Sequence, residues 1–557
     1  MKILNGIGGA PGIVCGKVLY FEKKSSTDVK IDLNEAVEKC LKKVRQMHDK
    51  ALSDLGEDNA KIFSAYEMLL EDEMFIGPIR ELISTGVSEE NAVTEVSDSM
   101  SAILMKKENE YLRQRADDIR NIGNMLKETL SGADADFDFP DGDDKYIIAA
   151  KDLTPVDTML FDHSRLLGFA TREGGVTSHT VILAKSIGIP AVVGVDGLDS
   201  TAECDIAYLD GYSGEFILEP DEKTKKIYDK KVSDEQDFLN SLEAIKQNDA
   251  YTKDGIRIKV AVNIGKPSDL NNSKDEKFDG VGLFRSEFLY SSSKVKPSVE
   301  QQCDAYKKAL DIVHPEPVTI RTLDVGGDKQ IEYFHMPHEE NPFLGNRGIR
   351  LCLSNPDVFS EQLKALLMAG VGRKLKIMLP MVTRIEEITK TKELISELKN
   401  SLEKEGQPYS DDIELGIMIE TPASAIMSEV FAKHCDFFSI GTNDLVQYIM
   451  SADRGNPAVE NVYNPYNPAV LKMINKVIKD GADAGIEVSV CGDLAANTDY
   501  TEILIGMGLK KFSVPLPMLN RIKKKVSDID SASAKELAQK ALNAEDENEV
   551  IKIIRRG

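Results

Sequence analysis

The amino-acid sequence predicts a multidomain α/β protein, in which an α/β domain with a helical-bundle insertion precedes a (β/α)8 barrel of the TIM type. Three observations predict this fold class. The chain has 557 residues, a length that holds about two to four domains. A long helical stretch with almost no proline lies between two β-rich stretches. Strand and helix patterns then alternate over the C-terminal half, as in a parallel barrel.

The first predicted domain is discontinuous in sequence. Residues 1–31 begin with a strand, a Gly/Pro loop and a second strand. β-Rich runs return in residues 139–220 as KYIIAA, LLGFATREGG, IPAVVGV and DIAYLDG. We expect these two stretches to fold together. Residues 32–138 lie between them as four or five amphipathic helices, which predicts an inserted bundle.

The second predicted domain is the barrel. Residues 221–250 are highly charged and helical, which predicts a solvated linker helix. Residues 251–557 then carry eight strand patterns with helical segments between most of them. In order, these are RIKVAVNI, DGVGLFR, VTIRTLDVGG, LKIMLPM, ELGIMIE, FFSIGT, EVSVCGD and KFSVP. In such barrels chemistry takes place at the C-terminal ends of the strands, so residues there are the functional candidates.

Composition limits the possible partners and compartment. The formal net charge of −24 repels phosphate backbones, so nucleic acid is not expected as a general partner. The seven cysteines are scattered without a C-x-x-C, which argues against a disulfide framework and a structural zinc site. Neither a secretory signal nor an apolar run of about 18 residues is present. We therefore expect a cytoplasmic protein without membrane insertion.

Charged and polar residues recur at the ends of the predicted barrel strands. In chain order they are Arg285, Arg321, Lys329, Arg347, Glu420, Asn443, Asp444, Arg454 and Cys491. The third strand is predicted to begin at Arg321 and to end in DVGGDK, with Lys329. The sixth is predicted to end at Asn443 and Asp444. Any one of these charges fits a surface ion pair equally well, but their shared place on one barrel face favours a site.

The chemistry of this set indicates a small anionic substrate. Arginine forks match phosphate and carboxylate oxygens, so a molecule with both groups satisfies the set. The carboxylates Glu420 and Asp444 leave room for substrate oxygens and water, which suits Mg²⁺. Cys491 has two interpretations, because a cysteine at a buried strand end is either an inert packing residue or a proton donor to carbon.

The stretch GGVTSHTVILAKSIGIPAVVG carries a second candidate site around His179. The double glycine permits a tight turn, and Thr177 or Ser178 can cap the helix that follows. The remaining amides at that helix start attract an anion. A histidine that only caps a helix, a Ser178–His179 hydrolase pair and a metal ligand are the alternatives. A reversibly phosphorylated histidine fits best, because a neutral imidazole is a competent nucleophile near pH 7.

The motifs GGVTSHTVILAKSIGIPAVVG, GVGLFRSEFLY, RTLDVGGDK, NPFLGNRGIR, GIMIETPASA, DFFSIGTNDLVQY, DRGN and CGDLA resemble those of one family. The chain is similar over essentially its whole length to Enzyme I of the bacterial phosphotransferase system, the phosphoenolpyruvate-protein phosphotransferases. The resemblance implies a swivelling phosphohistidine α/β domain followed by a phosphoenolpyruvate-binding barrel. It implies that His179 receives the phosphoryl group of phosphoenolpyruvate and passes it to HPr, the carrier protein of a sugar-transport system, while pyruvate is released.

The same resemblance implies roles for individual residues. It makes Glu420 and Asp444 ligands of Mg²⁺, Cys491 the proton donor to the enolate, and Thr158 a neighbour of the phosphorylated histidine. The substrate-binding positions it implies are Arg285, Arg321, Lys329, Arg347, Asn443, Asp444 and Arg454. It also implies that residues 32–138 dock HPr and that the barrel forms a homodimer. The sequence departs from the family pattern at Lys185, Asp493, Ala496, Pro515 and Pro517.

Two other interpretations remain open at this point. A relative of pyruvate-phosphate dikinase or phosphoenolpyruvate synthase would share the histidine domain and the barrel, but would also carry an ATP-binding domain. No P-loop precedes or follows the histidine motif, so we expect no labelling by ATP. A non-catalytic scaffold built from the same domains has no reason to keep His179, Glu420, Asp444 and Cys491 together.

Overall fold

The computed structural model confirms the predicted fold class and divides the chain into two compact units, Met1–Phe238 and Leu239–Gly557. The structure describes residues 1–22, 31–54, 57–105, 110–131, 140, 142, 144–158, 161–175, 181, 184–185, 187–199, 203–291, 295–326, 331, 339–459 and 461–556. Four predicted site residues, Thr177, Ser178, His179 and Lys329, lie outside these ranges.

A mixed sheet forms the base of the first unit. Its strands are β1 (Lys2–Asn5), β2 (Ile7–Ala10), β3 (Ile13–Phe21), β4 (Tyr146–Ala150), β5 (Leu166–Thr171), β6 (Ala191–Val193), β7 (Cys204–Asp210) and β8 (Glu215–Leu218). They pair in the order β1-β8-β7-β3-β4-β5-β6-β2. β3 to β6 are parallel, and the other pairs are antiparallel. The sequence analysis missed β8, whose four residues show no clear alternation.

Five helices form the insertion between β3 and β4. They are Leu33–Asp54, Glu57–Glu71, Glu73–Ser84, Glu89–Met105 and Glu110–Leu130. Apolar residues at helical spacing, among them Ala36, Cys40 and Val44, give them one shared core. Val156 lies in that core too, and it belongs to the short helix Pro155–Thr158 after β4. The bundle is therefore packed against the sheet part of its own unit.

The predicted linker is the helix Glu222–Ala244, and the division between the two units falls within it. Its N-terminal half contacts the first unit. Tyr228 packs against Tyr208 with ring centroids 5.3 Å apart, and Lys231 pairs with Asp210 at 3.1 Å. Tyr228 is the one residue of this helix that is buried, which agrees with a solvated connection.

The second unit is a closed parallel barrel. Its strands are β9 (Ala250–Tyr251), β10 (Arg257–Ile264), β11 (Val281–Arg285), β12 (Val318–Arg321), β13 (Leu375–Leu379), β14 (Glu414–Ile419), β15 (Phe437–Gly441), β16 (Glu487–Cys491) and β17 (Lys511–Pro515). β10 to β17 pair in chain order, and the parallel pairing of β10 with β11 closes the ring. All eight predicted barrel strands are confirmed, and β9 adds a short antiparallel strand beside β10.

Helices cover the outside of this barrel. Those described are Phe288–Ser291, Val299–Val313, Ile349–Ser354, Pro356–Ala369, Ile385–Lys404, Pro422–Ile426, Ser428–Phe431, Thr442–Met450, Pro468–Ala484, Asp493–Ala496, Thr498–Gly506, Leu519–Ser527, Ser531–Leu542 and Glu547–Arg556. Their apolar faces and the outward-facing strand residues form the largest core of the chain. Across the described ranges, none of the helices is long and apolar enough to cross a membrane.

Two predicted strand ends are wrong in detail. β12 ends at Arg321 rather than beginning there, because the backbone N–H of Leu323 donates to the Gln362 side chain instead of a neighbouring strand. β15 ends at Gly441, so Asn443 and Asp444 lie in the first turn of the helix Thr442–Met450.

Ionic groups close the barrel at its N-terminal end. The carboxylate of Glu487 on β16 lies 2.7 Å from the ammonium groups of both Lys259 and Lys511, and 3.5 Å from that of Lys376. Burial alone would raise the pKa of Glu487, but the three ammonium groups outweigh it and lower that pKa to about 2. At Lys511 the balance is reversed. Burial lowers the pKa of this lysine by more than the attraction to Glu487 raises it, so the pKa is lowered.

This ionic cluster predicts sensitivity to acid. The pKa of Glu487 is about 2 in the folded state and starts from 4.5, so its stabilising effect is present above pH 4.5 and is lost as pH falls toward 2. Compared with Glu487→Gln, the parent protein should be more stable by about 2 kcal/mol at pH 7. That difference should shrink progressively below pH 4.5. Hydrogen exchange of β16 and β17 amides in both proteins, compared at each pH, measures it; a difference that grows in acid would contradict the pairing.

Candidate active site

A cavity of about 440 Å³ opens at the C-terminal ends of the barrel strands. Its walls bring together nearly all the residues that the sequence analysis picked out at these ends. The predicted residues that line it are Arg285, Arg321, Arg347, Glu420, Asn443, Asp444, Arg454 and Cys491. Residues from five strand ends and the loops that follow them therefore converge on one space, which is large enough for a small molecule.

Two buried guanidinium groups form one wall of this cavity. Arg321 lies 2.5 Å from Glu287 and 3.0 Å from Asp324, and Arg347 lies 3.3 Å from Asp324 and 3.1 Å from Asp444. Burial by itself would lower the pKa of both arginines. The surrounding carboxylates raise the pKa by more than burial lowers it, so both arginines stay charged. Asp324 thus holds the two guanidinium groups side by side.

Each of these arginines keeps one donor for a ligand. The Nε atoms of Arg321 and Arg347 are buried, and neither has a hydrogen-bond partner among the described residues. A buried donor without a partner is costly unless something else accepts from it. Both arginines line the cavity, and a shift of either side chain would bring its Nε to an anionic oxygen there, as expected for a phosphate or carboxylate site.

Replacing Asp324 by asparagine tests this arrangement. Asn keeps the size of the side chain but removes the charge shared by Arg321 and Arg347. We expect the KM for an anionic substrate to rise about 10-fold or more, because the two guanidinium groups lose their common orientation. Asp311, an exposed carboxylate that pairs with half-buried Arg373 at 2.6 Å, supplies the control Asp311→Asn. Equal KM values in the two variants would contradict a positioning role for Asp324.

Two carboxylates face these arginines. Glu420 directly follows β14 and accepts a hydrogen bond of 2.6 Å from the backbone N–H of Met381, and Asp444 lies in the first turn after β15. Burial first, and then the negative charges of Asp444 and Asp324, raise the pKa of Glu420 to about 8 despite the nearby arginines. A cation between the two carboxylates would relieve this repulsion.

This donor set fits Mg²⁺ on chemical grounds. The described residues contain no group of three or more His, Cys, Asp or Glu side chains placed to hold a metal ion. Mg²⁺ commonly binds one or two carboxylates and takes its other ligands from substrate phosphate and water. Glu420 and Asp444, beside the unpaired arginine donors, provide that kind of incomplete shell.

The thiol of Cys491 forms part of the cavity floor. Its Sγ donates to the Ile440 carbonyl at 3.4 Å, and burial raises its pKa, so it carries its proton. The next residue, Gly492, has φ +84°, and a Cβ there would lie 2.5 Å from both the Asn443 amide oxygen and the Thr442 hydroxyl. Only glycine lets the chain turn this closely over the thiol.

Arg285 and Arg454 differ from the buried pair because both are exposed at the mouth of the cavity. The backbone N–H of Arg454 donates to the Gln447 side chain at 3.1 Å, which fixes the start of its loop. Asn443 accepts a hydrogen bond of 2.8 Å from the backbone N–H of Asp493. These residues can close on a ligand from the solvent side.

The histidine motif is only partly described. Gly174 has φ +97°, a backbone conformation that favours glycine, and the residues from 176 to 180 lie outside the described ranges. Thr158 is buried, and its hydroxyl donates to the Pro155 carbonyl at 2.8 Å. Among the departures from the family pattern, Lys185, Asp493, Pro515 and Pro517 are all exposed.

Three family models match consecutive parts of the chain. They are described as PEP-utilising enzyme, N-terminal (residues 5–115), its mobile domain (142–214) and its PEP-binding domain (240–531). A protein of Listeria innocua named phosphoenolpyruvate-protein phosphotransferase is 38% identical, over 100% of this chain and 99% of that protein. The chain belongs to the phosphoenolpyruvate-protein phosphotransferase family.

A second full-length relative and one solved structure are also similar to this chain. The Bacillus subtilis protein named phosphoenolpyruvate-protein phosphotransferase is 37% identical, over 100% of this chain and 99% of its own length. A solution structure described as Enzyme I (nEIt) is 33% identical over 42% of this chain and 98% of that chain, with a TM-score of 0.35.

The structure also places residues at the site that the sequence analysis did not single out. Glu287 and Asp324 pair with the buried arginines, and the Tyr448 hydroxyl accepts from Arg347 at 3.4 Å while it donates to the Phe343 carbonyl. Both carboxylates stand within the motifs GLFRSEF and TLDVGG. No sequence signal marks either carboxylate as a partner of these arginines, because the pairing depends on distances that only the structure gives.

Proposed function

We propose that this protein transfers the phosphoryl group of phosphoenolpyruvate to its own His179 and then to a histidine of HPr, releasing pyruvate. The observation that carries the proposal is the cavity in which Arg321, Arg347, Glu420, Asp444 and Cys491 meet. The full-length relatives named phosphoenolpyruvate-protein phosphotransferase support it. The set combines anion binding, a two-carboxylate metal site and a protonated thiol, which are the three functions that this reaction needs.

Binding neutralises and orients the substrate. The guanidinium groups of Arg321 and Arg347 bind its anionic oxygens, and Arg285, Lys329 and Arg454 add positive charge. Asn443 orients the same ligand. Mg²⁺, held by Glu420 and Asp444, would supply electrostatic stabilisation of the charge that develops on the enol oxygen.

Group transfer then follows with a simple balance of bonds. The bond from phosphorus to the enol oxygen breaks as a phosphorus–nitrogen bond to His179 forms. The electron pair left on the enolate takes the proton of Cys491 at the methylene carbon, which gives pyruvate and a thiolate. The thiolate regains a proton from solvent. In this reaction Thr158, Thr177 and Ser178 support the phosphorylated imidazole, and the histidine domain must reach the barrel and leave it in each cycle.

The decisive experiment follows the phosphoryl group. Incubation with labelled phosphoenolpyruvate and Mg²⁺ should label His179, and addition of purified HPr should remove the label. Mass spectrometry of the peptide around residue 179 identifies the position. Unlabelled residue 179, or label that stays on a His179→Ala variant, would refute the proposal. Labelling by ATP would instead favour a relative of pyruvate-phosphate dikinase or phosphoenolpyruvate synthase.

We further propose that the helical insertion docks HPr. Met68 and Met74 are 62% and 75% exposed and lie close in sequence to Glu71 and Glu73, which gives apolar side chains in an acidic setting. This is suited to a partner with a basic, partly apolar surface. The alternative, a merely solvated acidic face, leaves two exposed methionines without a reason.

A pair of variants separates docking from catalysis. Met74→Lys should slow transfer to HPr about 10-fold or more through lost apolar contact and opposed charge, with phosphorylation of His179 unchanged. Ile103→Lys, at a position 58% exposed on another helix of the bundle, is the control. Equal transfer rates in the two variants would place the docking surface elsewhere.

The remaining features of the proposal rest on the family resemblance. We propose a homodimer formed through the barrel, a cytoplasmic location and a place at the start of a sugar-transporting phosphotransferase system. Sedimentation analysis of the full chain tests the first. Complementation of sugar uptake in cells that lack this activity tests the last.

A further inference from the structure

Ser439 lies inside the barrel close to the Cys491 thiol. It belongs to β15, where Phe437, Ser439 and Gly441 share one face because side chains alternate along a strand. That face points into the barrel, since Phe437 packs with Cys491, Met378 and Met418 and Gly441 lines the cavity. In the parallel pair β15–β16, Gly441 lies opposite Cys491 and Ser439 lies opposite Ser489. Ser439 therefore lies inside the barrel two residues before the position opposite Cys491, on the neighbouring strand.

The Ser439 hydroxyl is buried, and its hydrogen-bonding capacity is unused among the described residues. The residue is 1% exposed, and within the described part of the chain its Oγ has no hydrogen-bond partner. Ser489, its neighbour across the strand pair, already donates to the Phe438 carbonyl at 3.3 Å. A buried hydroxyl without a partner costs free energy, so its retention calls for a state in which it does find one.

Proton transfer from Cys491 creates such a state. In the resting protein the thiol donates to the Ile440 carbonyl at 3.4 Å. Once the proton has moved to carbon, the sulfur is an anion that faces this carbonyl oxygen with no hydrogen between them. Besides burial, the negative charge of Glu420 raises the pKa of the Cys491 thiol, whereas the Ser439 hydroxyl, a donor close to the sulfur, lowers it. A hydroxyl donor that can rotate toward sulfur would offset that repulsion.

We propose that Ser439 is a positioning residue that donates a hydrogen bond to the Cys491 sulfur as it gives up its proton. This inference rests on the proposed function and deepens it. The step is Cys491 S–H plus enolate carbon giving a thiolate and pyruvate, with the Ser439 O–H proton shared but not transferred. The reverse step uses the same bond, because the thiolate must then remove a proton from the pyruvate methyl group.

The test uses the reverse reaction. Full-length protein phosphorylated on His179 is freed of excess phosphoenolpyruvate, mixed with Mg²⁺ and pyruvate, and assayed for loss of phosphohistidine and formation of phosphoenolpyruvate. Ser439→Ala should react about 10-fold more slowly at saturating pyruvate, with the half-saturating pyruvate concentration unchanged. Cys491→Ala marks the rate without the thiol.

Two further variants decide between a chemical and a structural role. Ser439→Thr keeps the hydroxyl and should restore most of the rate, whereas Ser489→Ala removes a hydroxyl that is already committed and should leave the rate within about twofold of the parent. A Ser439→Ala rate equal to that of the parent, or equal losses in the Ala and Thr variants, would overturn the inference. Failure of the parent protein to become phosphorylated at His179 would instead refute the proposed function.

Discussion

Replacing Arg321 by methionine should slow phosphoryl transfer about 10²–10³-fold and also destabilise the barrel. Arg321 is 6% exposed and pairs with Glu287 at 2.5 Å and with Asp324 at 3.0 Å. Without it, these two carboxylates and Glu420 remain buried with less opposing charge. Breaking a buried ion pair from one side costs about 3–5 kcal/mol. Loss of a donor aimed at the reacting group costs about 10²–10³-fold in rate.

Two measurements keep these effects apart. Phosphoenolpyruvate-dependent labelling of His179 reports the chemistry, and hydrogen exchange of β12 amides reports the local stability. In the double variant Arg321→Met with Glu287→Gln, one of the stranded carboxylates is neutral, so part of the stability should return while activity does not. Arg373→Met removes a half-buried arginine that pairs with exposed Asp311 and donates to the Val371 carbonyl at 2.8 Å, and we expect a smaller loss of stability than at Arg321. If the Arg321 and Arg373 variants lost equal stability, the buried ion pairs of Arg321 would contribute no more to stability than the ion pair of Arg373.

The second large effect is expected for Glu420→Gln, with the opposite consequence for stability. Glutamine can still accept the hydrogen bond from the Met381 backbone N–H, so the local fold is kept. The charge that would hold Mg²⁺ is gone, and phosphoryl transfer should fall about 10³-fold. Stability should rise, because the carboxylate no longer lies against Asp444 and Asp324.

The pH dependence has a definite sign. The pKa of Glu420 is raised from 4.5 to about 8, so the folded state binds the extra proton between these values. The parent protein, free of metal, should therefore lose stability relative to Glu420→Gln as pH rises from 4.5 to 8. Unfolding in urea at pH 5 and pH 8 measures this. Asp436→Asn, which alters an exposed carboxylate that accepts from the Leu415 backbone, is the matched control and should show no such trend.

Much of this site was predictable because the C-terminal ends of all strands of a parallel barrel lie on the same face. The periodicity of RIKVAVNI or KFSVP places a strand, and eight strands of this kind with helices between them close in only one way. Arg285, Glu420 and Cys491 could then be assigned to the same cavity although they are distant in sequence. The motif around His179 stays a prediction, since it lies outside the described residues.

What the sequence could not reveal is which charges pair. Glu287 and Asp324 look like ordinary loop carboxylates until their distances to Arg321 are known. The end of β12 was also misjudged, because its departure from the sheet depends on the side chain of Gln362, which follows some 40 residues later. Contacts of that kind depend on three-dimensional packing, and no local pattern encodes them.

The lysine–glutamate cluster below the cavity has a kinetic consequence. Lys376 lies over the Phe437 ring at 5.1 Å, and Phe437 packs beneath Cys491, so salt pairs and an aromatic plug block passage along the barrel axis. Among the described residues, the cavity opens at the C-terminal ends of the strands and is closed below. Pyruvate must leave by the route along which the next phosphoenolpyruvate arrives, and it should therefore inhibit the reaction competitively.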